Sequence, residues 1–155
     1  MTNEQTRERI KKHLINRGHE SNFVVTEPIV RYWWRQLNES VFSGILSPPA
    51  KIVIQKFIKN NTIAYCTPFN KHHARYVVAT NCVGTQRTVK FIISKTHPYR
   101  PMTRELLISM IVHEMVHQWE WEILGVWKGP LHGKRFMSWA PDIKQAIGVI
   151  LGRSV

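Results

Sequence analysis

The stretch over residues 104–124 constrains this chain more than any other. Leu106, Leu107, Ile108, Met110, Ile111 and Val112 fall around the whole circumference of a helix instead of along one stripe. A helix that is apolar on every side must be wrapped by other elements, so the rest of the chain has to supply the wrapping. Pro101-Met102-Thr103 opens this helix, and Gly125 is its stop. Three groups that are costly to bury alone, His113, Glu114 and His117, sit in the same apolar rod.

At 155 residues, 43% apolar and 21% charged, the chain has enough material for one domain with a real core. Its longest apolar runs, near 106–112 and 146–151, are too short to span a bilayer. Residues 1–25 read as an N-terminal helical extension. This is a polar helix over 4–17 with only Ile10, Leu14 and Ile15 apolar, stopped at Gly18 and expected to be loosely attached. Residues 26–155 read as the domain itself. Thr26-Glu27-Pro28 is a helix start. Ile29, Trp33, Leu37 and Val41 then recur every fourth residue, until Gly44 and Pro48-Pro49 end the helix.

The middle reads as strands: KIVIQKFI with Ile52, Ile54 and Ile58, then TIAYCT, RYVVAT, and TVKFIIS with Val89, Phe91 and Ile93 on one face. Short connections at Asn60-Asn61, Asn70 and Gly84 favour antiparallel pairing. Residues 134–151 are helical in character through Phe136, Ile143, Ile147 and Ile150, with Pro141 set to kink or divide them. The expected fold is α+β: a single compact domain with a small, mostly antiparallel sheet packed against the buried helix and flanking helices.

His113-Glu114-Met115-Val116-His117 carries the chemistry. Histidines four apart lie one turn apart on one helix face, so both rings can reach one zinc ion. Glu114, on a neighbouring edge, can act on water at that ion without binding the ion itself. A metal also removes the cost of burying these groups. A catalytic zinc site needs a third protein ligand and an open position. Position 123, where a further histidine could extend the motif, is isoleucine. Glu120 lies on the same helix and would crowd the ion. His132 is the better candidate, because a glycine-rich turn at Gly133 can fold it back toward the helix.

Charge is unevenly distributed. Residues 40–104 hold ten basic residues and no carboxylate, and they account for nearly all of the net +12. A field of that size favours a polyanion, most often nucleic acid. Lys51, Lys56, Lys59, Lys71, Arg75, Arg87 and Lys90 are the candidate phosphate contacts. Among the tryptophans, Trp33 and Trp119 fall on apolar faces. Trp34, Trp121 and Trp127 are the better surface candidates for stacking on bases. His72 and His73 read as basic loop residues. Two cysteines, Cys66 and Cys82, build neither a disulfide framework nor a four-thiolate zinc site, so a reduced compartment is expected. The start, MTNEQTRERIKKHL, has no apolar segment of the kind a secretory signal needs.

HEMVHQWE followed by a short loop and HGKRF resembles the SprT-like family, which includes the Spartan DNA–protein crosslink proteases. Upstream, WWRQLNESVFSGILSPP is similar to the family's opening helix and its Phe-x-Gly-x-Leu ending, here Phe42, Gly44 and Leu46. The resemblance covers roughly residues 29–150. It implies a zincin-like α+β domain in which His113, His117 and His132 hold one Zn2+ and Glu114 is the catalytic base. The implied activity is an endopeptidase working on proteins on or near DNA. Two departures stand out: no cysteine-rich zinc ribbon follows the core in this chain, and no partner-recruiting tail does. DNA targeting would then come from the core or the N-terminal helix. The other reading is a DNA-binding or inhibitory module that keeps the zinc site without proteolysis, and the intact Glu114 argues against it.

The expected partners are DNA and protein substrates, with no membrane and a monomeric chain. The expected setting is the cytoplasm or nucleoid, and so minimal a core suits a bacterial or viral genome. Spacing identifies no oxyanion donor; Tyr65, Tyr99 and Arg100 are the residues to weigh. Asp142 is a candidate for orienting a liganding imidazole, or else an ordinary carboxylate at a helix N-terminus.

Overall fold

Both long helices start at a threonine in the computed structural model, which describes residues 2–15, 23–56, 62–68, 87–127 and 131–152. Thr26 accepts a hydrogen bond from the Ile29 N–H and opens α2 (Glu27–Ser40), with Pro28 in its first turn. Thr103 accepts from the Leu106 N–H at 3.1 Å and opens α3 (Arg104–Glu122). The buried face of α2 comprises Val30, Trp33, Trp34 and Leu37, a stripe broader than the single row read from the sequence. Beyond it, Ser43 and Gly44 take positive φ, and the Gly44 N–H donates to the Asn38 carbonyl at 2.8 Å.

Three strands form one sheet: β1 (Lys51–Gln55), β2 (Ala64–Pro68) and β3 (Val89–Ser94), in the order β1-β3-β2. β3 takes the centre because it is the most apolar of the three, and nearly every residue in it is buried. The expectation of a mostly antiparallel sheet needs correction. β2 pairs antiparallel with β3, but β1 pairs parallel with it, Lys51 opposite Lys90 and Gln55 opposite Ser94. β1 bypasses its sequence neighbour and pairs with a strand reached only after a long excursion, which no local turn signal reports. The predicted strand RYVVAT lies outside the described residues.

The inner face of the sheet, with Ile52, Val89, Phe91 and Ile93, packs toward α3, whose buried residues run right round its circumference. After α3, the last segment divides at Ser138-Trp139 into α4 (Lys134–Met137) and α5 (Ala140–Ile147), with Pro141 in the first turn of α5. Gly148, at φ +75°, caps α5, whose last residue, Ile147, falls four residues short of the end the pattern suggested.

The N-terminal helix α1 (Asn3–Ile15) is not loosely attached, contrary to expectation. Ile10 is fully buried and Thr6 nearly so. Arg7 donates from Nε to the Ser40 carbonyl at 2.9 Å, and Arg9 bonds the Gln36 side chain. One apolar residue in the right place is enough to seat the helix on the core. Among the described residues, no helix is long and apolar enough to cross a membrane.

Candidate metal centre

α3 presents His113 and His117 one turn apart, and the turn before α4 returns His132 to meet them. The His132 Nε2 lies 3.1 Å from the Nε2 of His113 and 3.2 Å from the Nε2 of His117. Ligand atoms of all three fall within 4.8 Å of one another, the one cluster of metal-ligating type among the described residues. The fully buried Phe136 ring packs against all three imidazoles, with centroids 4.7–4.8 Å away, and so forms the floor of the site.

This donor set fits a zinc ion. Three ring nitrogens bound at about 2.0–2.1 Å in tetrahedral directions stand about 3.3 Å apart, close to the two spacings found from His132. A single proton on His132 Nε2 cannot serve two facing lone pairs well, whereas one cation among the three nitrogens can. His113 is held neutral, its pKa lowered to about 3 by burial and by the neighbouring His117 and His132 rings. The backbone of Gly152 opposes that shift only in part. A neutral imidazole keeps the lone pair that a metal needs.

Glu114 is 4% exposed, and its carboxyl is raised to about 7. Burial is the main cause; His117 and the backbone N–H of Cys66 oppose it. That N–H is available because residues 64, 66 and 68 of β2 turn their backbone groups away from β3. The bonding phase is fixed by the Ser94 N–H donating to the Ile63 carbonyl. The Cys66 thiol is buried and pushed well above its ordinary value, first by burial and then by Glu114 and Glu122, so it stays protonated.

A polar cluster pins α3 from behind. Gln118 accepts the Trp34 indole N–H at 2.9 Å and donates to the Ser47 carbonyl at 2.7 Å and to Glu122 at 2.9 Å. Glu122 in turn accepts the Ser47 N–H at 2.6 Å. Trp34 is therefore no stacking platform: it is 3% exposed, and its one polar atom is committed to the core. Trp121 is likewise buried, edge-on to the more exposed Trp127.

The sequence profile of the SprT-like family matches residues 30–153. The chain belongs to this family. No curated protein and no solved structure matches it significantly. SprT-like membership brings a zinc-dependent, protease-like domain, and the histidine cluster is where such a domain would place its metal.

Of the seven basic residues singled out for phosphate, Lys59, Lys71 and Arg75 lie outside the described residues. Lys51 and Lys90 are register neighbours on the outer face of the sheet, and Lys56 is exposed just beyond β1. Arg87 also reaches the end of α3. Its Nη1 donates to the Glu122 carbonyl at 3.1 Å and caps the C-terminus of α3. Asp142 is exposed in the first turn of α5, the ordinary carboxylate position. The carboxylate beside one of the three clustered imidazoles is Glu120 instead, with Oε1 3.5 Å from the His117 Nδ1. Its i,i+3 spacing from His117 was the signal for it.

Proposed function

We propose that this chain is a zinc-dependent endopeptidase that cleaves proteins held on or near DNA. The observation that carries the proposal is the convergence of three imidazole Nε2 atoms beside a buried carboxylate whose pKa is about 7. His113, His117 and His132 would hold the ion. Zinc, when bound, supplies Lewis acidity that polarises a peptide carbonyl and lowers the pKa of water. Glu114 takes a proton from the attacking water and returns it to the leaving amine, a task suited to a group that titrates near neutrality. The Cys66 N–H holds that carboxylate in place. β2 stands at one end of the strand order among the described residues, and its outward-turned Ala64 backbone groups are the ones this proposal gives to an extended substrate. Such pairing reads main chain, so selection falls to delivery. The carboxylate-free stretch 40–104, with Lys51 and Lys90 side by side, supports DNA as the delivering partner.

The test is cleavage of casein with and without single-stranded DNA. The native chain should cut in a zinc-dependent way. Glu114→Gln should retain zinc and lose at least about a hundredfold in rate. DNA affinity should fall steeply with added salt, and the Lys51→Glu/Lys90→Glu variant should bind more weakly with a shallower slope. Tight DNA binding by a native chain that cuts nothing would instead favour the inhibitory module.

A further inference from the structure

Glu120 is 5% exposed, so its charge needs a partner within the fold. It has two. Oε1 lies 3.5 Å from the His117 Nδ1, and Oε2 accepts a hydrogen bond from the Arg135 Nε at 2.8 Å. The two contacts differ in kind. The first reaches the ring nitrogen of His117 that faces away from the cluster. The second reaches across from α4, where Arg135 stands three residues after His132.

We propose that Glu120 and Arg135 are a positioning pair for the metal centre. Glu120 holds the Nδ1–H tautomer of His117, leaving the Nε2 lone pair directed at the cluster. Arg135 fixes the Glu120 carboxylate and, by the same bond, docks the turn that carries His132 onto the helix that carries the other two histidines. Neither residue touches the ion. The proposal rests on the reading that the three histidines bind a metal. It adds that their alignment depends on a carboxylate outside the HExxH motif and on the arginine of the HGKRF turn. A carboxylate behind a liganding histidine raises the basicity of the ring as well as orienting it, so its loss is felt as affinity.

The test uses the full chain and zinc alone. Zinc affinity is measured by competition with a chromophoric chelator, and the His117 tautomer is read from imidazole 15N shifts in the metal-free protein. Glu120→Ala should weaken zinc about 10- to 100-fold and shift His117 toward a mixture of tautomers. Glu120→Gln, whose amide oxygen can accept from Nδ1–H, should retain the tautomer and lose less affinity. Arg135→Ala should weaken zinc in the same direction, and adding it to Glu120→Ala should cause no further loss, since Arg135 acts through Glu120. A merely structural role would lower thermal stability without moving the tautomer. Native affinity and an unshifted tautomer in Glu120→Ala would overturn the pair while leaving the three-histidine site intact. A native chain that binds no zinc would overturn the site, and the pair with it.

Discussion

Glu114 holds its proton to about pH 7 in the folded chain, against an ordinary value of 4.5. In the metal-free protein that displacement has a sign. Between pH 4.5 and 7 the folded state binds more protons at this position than the unfolded state does. The associated stability is complete at the acid end of the window and is lost as pH rises through it. His113 works in the opposite sense. Its pKa is lowered from 6.5 to about 3, so it costs stability as pH falls below 6.5, but that cost is common to native and Glu114→Gln proteins. Comparing the two after exhaustive chelation therefore isolates Glu114. The variant should be the more stable at pH 8 by on the order of 1–3 kcal/mol, and the gap should close toward pH 4.5. Parallel denaturation curves across that range would show that the carboxyl ionises freely in the fold.

The C-terminus of α3 decides where the chain turns back to deliver His132. Gly125, at φ +68°, donates its N–H to the Trp121 carbonyl, and Val126 donates to the Glu120 carbonyl, closing the last turn on itself. A Cβ on Gly125 would sit 3.0 Å from the Arg87 guanidinium carbon, in a backbone conformation that only glycine adopts easily. Gly125→Ala should cost about 1–2 kcal/mol, and Arg87→Ala about 0.3–2 kcal/mol as a lost cap. Chemical denaturation measures both. An Arg87→Ala protein of unchanged stability and weaker DNA binding would show that the guanidinium serves phosphate and not the helix end.

What could be read in advance at this scale follows from how local each signal is. Thr26, Thr103, Gly125 and Pro141 act on the residues beside them, and the structure uses each one as a start, a stop or a break. The parallel pairing of β1 with β3 joins strands separated by β2 in sequence. Trp34 is buried, with its indole N–H bonded to Gln118, 84 positions away. Arg135 meets Glu120 only once the intervening loop has folded back. No spacing rule on a single segment carries those contacts. The histidines were legible because two share a helix turn and the third lies in a glycine-marked bend; of the groups beside them, Glu120 could be read from its i,i+3 spacing to His117, whereas Arg135 could not.

At the scale of the whole molecule, the question is whether α1 is an appendage or part of the cooperative unit. The family match begins at residue 30, after α1 ends. Packing argues for the cooperative unit: α1 lies against α2, α3 and α5, with Ile10 fully enclosed and Arg7 bonded to the last residue of α2. Because α3 is buried on every side, whatever covers it stabilises the helix that carries two of the three histidines. Ile10→Ala should therefore lower stability by about 2–5 kcal/mol, the usual cost of emptying a buried aliphatic site. Denaturation should remain a single transition, with the same midpoint by tryptophan fluorescence and by loss of helical circular dichroism. An early, separate loss of helix signal that leaves the tryptophan transition in place would make α1 an independent appendage. A single lowered midpoint would mean that this N-terminal helix, outside the family match, helps to hold the helix that carries His113 and His117 in its fold.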